Sequence, residues 1–390
     1  MIQSELKEFD LGILAPNGLR RGRTTGSCAT AAVKAALYLL HGERRAEVRI
    51  TLPDDAHYLT VPILDCRWLN EHTTRAEVLK DGGDDPDNTH GATIFAEVRR
   101  NDKARIRFFA GVGVGTATQP GLRVAVGEPA INPTPRKMMR QAVVDVCGND
   151  EGFDLTIGCV NGETIAKKTF NPKLGIVGGI SILGTSGLVE PLSLASWIAS
   201  IEVYVRVALG NCSMRYSTSC VHAVVGNDAN SIALLPGKIG RSYAKETLGL
   251  PERRSVQIAN FLGDALDFLQ QALTEQQRHL DVLWLLGHPG KLAKVLDGVW
   301  DTHSSRSDMA MNAVARIAAE RKFDSLLVQE LEQANTVEAA IQRLTNEPGS
   351  QALWMDIEQR IAALVQQRVP AVKKVEVRLF NLQGDSLGEV

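Results

Sequence analysis

The pattern of apolar and polar residues in the first half of the chain predicts one buried helix followed by a sheet. In RTTGSCATAAVKAALYLL, residues 23–40, apolar side chains recur at helical spacing behind threonine, glycine and serine residues that can cap a first turn. EVRITLP, TIFAEVRR and ARIRFF, residues 47–53, 93–100 and 104–109, carry alternating, β-branched or aromatic residues between turn formers. We expect these segments to form a mainly antiparallel sheet.

Three later segments extend this first region. PRKMMRQAVVDVC, residues 135–147, has a helical pattern, and FDLTIGCVNGETIAKKT, residues 153–169, predicts a hairpin around Asn161-Gly162. PLSLASWIASIEVYVRVAL, residues 191–209, is long and apolar enough for a buried helix. The sequence therefore predicts an α+β domain with glycine-rich loops over residues 1–209.

Beyond about residue 210 the pattern changes to a strand, a short loop and a helix. RSVQIANFLGDALDFLQQAL and HLDVLWLLGHPGKLAKVLDG, residues 254–273 and 279–298, each place a strand-length apolar run before a glycine-containing turn and a helical period. Helical segments fill residues 307–367, and residues 373–390 predict a closing hairpin around Gly384. The second domain, residues 210–390, is expected to be α/β with β-α units.

Composition and charge narrow the function classes. The chain has 390 residues, and its 43 Lys and Arg against 45 Asp and Glu give a net charge of −2, so no overall basic field recruits nucleic acid or an anionic membrane. The first residues have no signal-peptide pattern, and no apolar run approaches the ~18 residues of a membrane span, so a cytoplasmic protein is expected. Six scattered cysteines and the absence of paired histidine spacing favour reduced thiols and no protein metal site.

The segment TFNPKLGIVGGISILGTSG, residues 169–187, resembles a phosphate-binding loop only in part. Gly179 and Gly184 have the glycine spacing of that loop, but Thr185 stands where its lysine belongs, so a nucleotide-hydrolysing site loses its main charge. The dinucleotide fingerprint fails as well, because no glycine falls three residues after the second one. Two interpretations stay open: a ligand-binding loop, or a glycine-rich crossing that serves close packing.

Local clusters of charged residues are further candidates for ligand-binding sites. KDGGDDPDNTHG, residues 80–91, holds four aspartates that suit either a cationic ligand or a solvated turn, and its spacing is not that of an EF-hand. Arg20, Arg21 and Arg23 precede the start of the first helix, and Lys291 and Lys294 follow the turn in GHPGKLAK. A helix start favours an anion and mildly disfavours cations, so these clusters indicate an anionic ligand, with solvated faces as the alternative.

Four long strings connect the chain to a known family. RTTGSCATAAVKAAL, GVGVGTATQPGLRVAVGEPAINPTPRKMM, NGETIAKKTFNPKLGIVGGISILGTSGLVEP and GKLAKVLDGVWDTHSSRSD occur in that order. Together they resemble the cobalt-precorrin-5B C(1)-methyltransferase family of anaerobic cobalamin biosynthesis (CbiD), from about residue 18 to the C-terminus. The acidic-G-x-G-x-G pattern of Rossmann-type methyltransferases is absent.

The resemblance implies methyl transfer from S-adenosylmethionine to C(1) of cobalt-precorrin-5B, giving cobalt-precorrin-6A. Cobalt then belongs to the substrate, a corrinoid with several carboxylates, and transient contacts with other enzymes of the pathway are expected. A non-catalytic corrinoid-binding protein and a nucleotide enzyme with a defective phosphate loop remain the alternatives.

The site expectations combine this resemblance with the clusters described above, and no catalytic side chain is assigned. The residues expected to bind the methyl donor are Gly178, Gly179, Ser181, Gly184, Thr185, Asp84 and Asp85. Those expected to bind substrate are Arg20, Arg21, Arg23, Lys291, Lys294 and His303, the last being a lone histidine that more often has a structural role.

Overall fold

The computed structural model describes residues 6–148, 151–210, 230–303 and 310–388. It divides into two compact units, Met1–Leu194 (unit 1) and Ala195–Val390 (unit 2). The sequence places the boundary between residues 209 and 210, at the end of the helix that begins at this division. Cys212 and Cys220 lie outside the described residues. Within the described residues, no helix is long and apolar enough to cross a membrane.

Unit 1 combines short strands with three helices in its described part. The helices are α1 (Thr25–Leu40), α2 (Pro133–Cys147) and α3 (Gly162–Ala166), with a 3₁₀ turn at Asn171–Leu174. The strands are β1 (Lys7–Glu8), β2 (Gly22–Arg23), β3 (Glu47–Thr51), β4 (His57–Pro62), β5 (Asp65–Asn70), β6 (Thr73–Leu79), β7 (Thr93–Asn101), β8 (Arg107–Ala110), β9 (Gly113–Val114), β10 (Thr116–Ala117), β11 (Gly152–Cys159), β12 (Ile176–Val177), β13 (Gly179–Ile180) and β14 (Leu188–Val189).

The larger sheet of unit 1 has the order β5-β6-β7-β11-β8. Its first four strands pair antiparallel, and β8 lies parallel to β11 at the edge. A second sheet has the order β1-β4-β3, and the two-stranded ladders are β2 with β14, β9 with β13 and β10 with β12. The last three ladders join the glycine-rich segments to the start of the chain and to the residues around 115.

Helix α1 lies in the core of unit 1, in contact with α2, β6 and β7. Thirteen of its residues, Thr25 to Leu37, are buried, and many of them are alanines, whose small side chains allow neighbouring elements to approach closely. Thr74 of β6 donates a 2.8 Å hydrogen bond to the Ala36 carbonyl, which fixes the helix against the sheet. The start of α1 is therefore held in one position, as a site built on it requires.

The predicted hairpin at Asn161-Gly162 is wrong, because β11 runs into α3 and not into a returning strand. Asn161 adopts a left-handed conformation with φ 57° and begins the short helix. A Cβ at Gly162 would lie 2.1 Å from the Gly113 carbonyl oxygen, so the loop packs directly on the β9 segment. Both edges of β11 already pair with other strands, β7 and β8, so a returning strand has no edge to pair with.

Unit 2 is a parallel sheet with helices. Its strands are β15 (Ser231–Leu235), β16 (Ser255–Gln257), β17 (Leu280–Gly287) and β18 (Val372–Leu379). Its helices are α4 (Leu194–Gly210), α5 (Leu262–Glu275), α6 (Pro289–Leu292), α7 (Met311–Glu320), α8 (Ser325–Glu332), α9 (Val337–Leu344) and α10 (Ser350–Arg368), with a π-helical turn at Tyr243–Thr247 and 3₁₀ turns at Glu252–Arg254 and Ala293–Asp297. The segments β16–α5 and β17–α6 are the strand–helix units that the apolar runs indicate.

The four strands have the order β16-β15-β17-β18, and each neighbouring pair is parallel. One face of the sheet packs on most of the helices through side chains such as Ile232, Leu234 and Leu285. The other face, with Ala233 and Leu235, packs on residues 239–250. Both faces are covered, which explains the continuous apolar runs of β15 and β17.

The predicted turn around Gly384 closes a short antiparallel pairing just after β18, whereas β18 itself pairs with another strand. Strand β18 lies parallel to β17 along seven paired residues, and the chain after it makes one antiparallel bridge, between Phe380 and Ser386. Val375, Val377 and Leu379 are buried in the unit 2 core, so this strand is needed at the open edge of the sheet. Gly384, with φ 96°, lies in the turn, and across it the Asn381 N–H donates to the Asp385 carbonyl at 3.1 Å and the Leu387 N–H to the Leu379 carbonyl at 2.9 Å.

Candidate functional site

Backbone N–H groups at the start of α1 are bonded to the glycine-rich loop and to the cap residue. The N–H of Gly26 donates to the Leu183 carbonyl at 2.9 Å, and that of Thr24 to the Gly187 carbonyl at 3.3 Å. The Thr24 hydroxyl caps the N–H of Ser27 at 3.1 Å. Because protein atoms already accept these hydrogen bonds, the helix start itself offers little to an anion.

Close contacts dominate the same loop. A Cβ at Gly179 would lie 2.1 Å from the Gly113 oxygen, and one at Gly184 would lie 2.5 Å from the Thr24 hydroxyl. The buried Ser181 hydroxyl donates to the Asn171 side chain at 3.3 Å. These contacts favour the packing interpretation for Gly179, Ser181 and Gly184.

Gly178 and Thr185 differ from these neighbours, since both are exposed. Gly178 has φ 92° and open space where a Cβ would be. Their contact with a methyl donor stays a prediction.

The acidic loop holds the β2 segment in place. The N–H of Arg23 donates to the Asp81 carbonyl at 2.7 Å, and a Cβ at Gly22 would lie 2.1 Å from the Gly82 carbonyl carbon. Asp84 accepts the backbone N–H of Arg20 at 2.8 Å, and Asp85 accepts that of Leu192 at 2.9 Å. Both carboxylates therefore have structural partners, while the loop, β2 and residues 183–192 lie together around the start of α1.

The three predicted arginines of unit 1 have different partners. Arg20 pairs with Asp84 at 3.1 Å, and its backbone N–H, followed by its side chain, lowers the pKa of that carboxyl. Arg21 pairs with Glu190 at 2.5 Å and donates to two backbone carbonyls. Arg23 pairs with no carboxylate among the described residues, and its buried Nε has no hydrogen-bond partner there. Of these three arginines, Arg23 is the one without a carboxylate partner in the described part of the unit.

Two residues near Arg23 do not stand out as site candidates in the sequence. Lys80 is 1% exposed and pairs with Asp87 at 2.8 Å. The Cys28 thiol is fully buried, and burial raises its pKa to about 12 even though Lys80 and Arg23 act in the opposite direction. A lysine in an aspartate-rich turn was the available signal for the ion pair, whereas the burial of Cys28 depends on the tertiary fold.

In unit 2, Lys291 lies at the carboxyl ends of the parallel strands. Its Nζ donates to the carbonyls of Pro236 at 2.9 Å and Ala259 at 3.4 Å, the first just beyond β15 and the second just beyond β16. No carboxylate pairs with it in the described part of the unit, and burial, then the charge of Lys294, lowers its pKa. The partners that the structure describes for this ammonium group are neutral oxygens.

The other predicted residues of unit 2 lie nearby in the chain but in different surroundings. Lys294 is 5% exposed and donates to the Thr302 carbonyl at 3.4 Å, so its charge points into the protein. His303 is exposed, and its backbone N–H donates to Asp301 at 3.3 Å. His288 caps α6 by accepting from the Gly290 N–H at 3.0 Å. The structure thus supports Lys291 better than Lys294 as a contact for an external anion.

A second loop faces Lys291 and contains no residue that the sequence singled out. Pro236-Gly237-Lys238 follows β15, and Pro289-Gly290-Lys291 follows β17, so the same triplet occurs after two adjacent parallel strands. That repetition was the signal that could have revealed the pair of loops. No group of three or more histidine, cysteine, aspartate or glutamate side chains within the described ranges could hold a metal ion.

Comparison with known proteins identifies the relatives of this chain. The family model described as CbiD matches residues 14–191, and the one described as CbiD, C-terminal domain, matches residues 301–390. Proteins named cobalt-precorrin-5B C(1)-methyltransferase from Chromobacterium violaceum and Ralstonia nicotianae are each 59% identical, over 98% and 100% of this chain and 98% of their own lengths. The crystal structure of a cobalamin biosynthesis protein (cbiD) from Archaeoglobus fulgidus is 26% identical, covering 75% of this chain and 86% of that one, with a TM-score of 0.37.

Proposed function

The chain belongs to the CbiD family, and we propose that it methylates C(1) of cobalt-precorrin-5B to give cobalt-precorrin-6A in anaerobic cobalamin biosynthesis. The observation that carries this proposal is 59% identity to two methyltransferases of that name, extending over nearly the whole of each chain. Both units are covered by this similarity, so the proposal applies to the full chain and not to one part of it.

S-adenosylmethionine is the proposed methyl donor. An electron-rich ring carbon attacks the sulfonium methyl group in line, the new carbon–carbon bond forms as the carbon–sulfur bond breaks, and S-adenosylhomocysteine leaves. This chemistry needs no nucleophile from the protein, which fits a chain whose Cys28, Cys66 and Cys159 are buried with raised pKa values. Holding the two reactants in a near-attack geometry can lower the barrier by ~7–11 kcal/mol. Positioning is therefore the main contribution we assign to the protein.

Arg23 is the proposed contact for a carboxylate of the corrinoid. Arg20 and Arg21 already have carboxylate partners, whereas Arg23 has none and its Nε lacks an acceptor among the described residues. A carboxylate that accepts from this guanidinium would satisfy a buried donor and neutralise its charge together. Electrostatics thus explain how a chain of net charge −2 can hold a polyanion.

The expected cytoplasmic location and the two domains are part of the proposal, and they rest on the sequence pattern. The transient contacts with other enzymes of the pathway are also proposed, and they rest on the family alone.

Binding and turnover measurements on the purified chain separate this function from its alternatives. A methyltransferase should bind S-adenosylmethionine and the corrinoid and should release no phosphate from ATP. A corrinoid-binding protein without activity would bind the corrinoid but not the donor. ATP turnover would instead indicate a nucleotide enzyme.

A further inference from the structure

The sheet of unit 2 contains a topological switch point between β15 and β17. These strands are parallel neighbours, yet the chain leaves them toward opposite faces of the sheet. After β15, Ala244 and Leu250 pack on the face that holds Ala233 and Leu235. After β17, Leu292 and Val295 pack on the other face. In open parallel sheets, such a divergence leaves a crevice at the carboxyl ends of the strands, where ligands bind.

The two loops at this crevice combine close packing with an open position. A Cβ at Gly240 would lie 2.5 Å from the Leu286 Cβ, so the far end of the first loop is pressed against β17. Gly237, at its near end, has no atom within 4 Å of an added Cβ. The loop is therefore anchored at one end and leaves space at the other.

Lys291 supplies the charge at the same place. Its Nζ reaches from the β17 loop to the carbonyls beyond β15 and β16, at 2.9 and 3.4 Å. An ammonium group has three N–H donors, so one remains after these two bonds. A half-buried cation without a carboxylate partner is poorly compensated, and a ligand carboxylate would compensate it.

From this arrangement we propose that the crevice between the Pro236–Gly240 and Gly287–Lys291 loops binds the methyl donor, with Lys291 holding its amino-acid carboxylate. The inference rests on the proposed function for the identity of the donor. It assigns the donor to unit 2 and to a different loop from the glycine-rich segment of unit 1. The corrinoid also carries carboxylates, so the same lysine chemistry has two sources that an experiment must separate.

Three ligands separate these sources in calorimetric titrations of the full chain. S-adenosylmethionine and S-adenosylhomocysteine carry the amino-acid carboxylate, and 5′-methylthioadenosine lacks it. Lys291→Gln should weaken the binding of S-adenosylmethionine and S-adenosylhomocysteine by about ten- to hundredfold, the range expected for a lost hydrogen bond to a charged group. The affinity for 5′-methylthioadenosine should stay unchanged. Lys245→Gln, at an exposed lysine of the same unit, is the matched control and should change none of them.

A second variant keeps the test decisive if Lys291→Gln fails to fold. Gly237→Leu places a side chain in the open part of the crevice and should weaken all three adenosyl ligands by tenfold or more, at an unchanged melting temperature. Unchanged donor affinity in a folded variant that fills the crevice would overturn the proposal. So would a Lys291→Gln variant in which corrinoid binding alone is weakened. A wild-type chain that binds the donor through Lys291 but transfers no methyl group would support this inference and overturn the proposed function.

Discussion

Substituting Gly179 by alanine tests whether the glycine-rich loop of unit 1 serves packing or binds the donor. The added methyl carbon would lie 2.1 Å from the Gly113 oxygen and 2.2 Å from its carbonyl carbon. Carbon atoms in contact prefer separations of about 3.5–4.0 Å, so the β9 and β13 segments would have to separate by more than about 1 Å. Their ladder pairs two residues on each strand and has little capacity to absorb that shift.

Overpacking of this kind costs typically 1–3 kcal/mol, and we expect the upper end because the obstacle is backbone. For a unit of this size, about 3 kcal/mol corresponds to a loss of roughly 6–12 °C in melting temperature. Differential scanning calorimetry measures the loss, and Thr185→Ala, at an exposed position, should show almost none.

Donor affinity decides between the two interpretations of the loop. Titrated well below its melting temperature, Gly179→Ala should bind S-adenosylmethionine as the wild type does for each folded molecule. A variant that keeps the wild-type melting temperature but loses the donor would refute the packing argument and return the donor site to unit 1.

Three further changes address single groups. Arg23→Gln should raise the KM for the corrinoid about tenfold or more with little change in kcat, since a charge-assisted hydrogen bond is lost. Arg20→Gln should raise this KM less, and equal effects of the two variants in steady-state kinetics would contradict the assignment of Arg23 to the corrinoid. Lys80→Met should lower the free energy of unfolding of unit 1 by about 3 kcal/mol in urea unfolding, because it leaves Asp87 without its buried partner. A change in this free energy below about 0.5 kcal/mol would count against a stabilising ion pair. A hydrogen bond from Arg107 lowers the pKa of Asp154 from 3.8 to about 2, so the stabilisation by this carboxylate is present above pH 3.8 and is lost as the pH falls through about 2. Asp154→Asn should remove about 2 kcal/mol of this acid dependence from the free energy of unfolding, and the same pH dependence of stability in both chains would contradict this prediction.

Periodic segments were predictable from the sequence because their apolar residues pack on one core. The helical pattern that follows Arg23 predicted α1, and the apolar runs before residues 261 and 287 predicted β16 and β17 with the helices that follow them. The hairpin predicted at Asn161-Gly162 failed because tertiary packing on Gly113 turns the chain after β11 into a helix. At Gly384 the turn forms, but β18 takes β17 as its main partner, and the sequence does not show that choice.

The sequence shows the charged residues of the candidate site but not their pairing. The sequence marks Arg20 and Arg23 alike, and only the fold gives Arg20 a partner in Asp84. Likewise Lys291 and Lys294 share a segment, but the turn after β17 directs the first toward the strand ends and buries the second. Sequence periodicity carries no information on these contacts, because the partner of Lys291 lies 55 positions away in the chain and the partner of Arg20 lies 64 positions away.

The most direct test of the proposed reaction is anaerobic incubation of the full chain with cobalt-precorrin-5B and S-adenosylmethionine labelled in its methyl group, followed by mass analysis of the corrinoid. We expect one labelled methyl group on the corrinoid, located at C(1), together with an equal amount of S-adenosylhomocysteine. A corrinoid recovered without label from folded, donor-bound protein, or labelled at another carbon, would contradict the proposal.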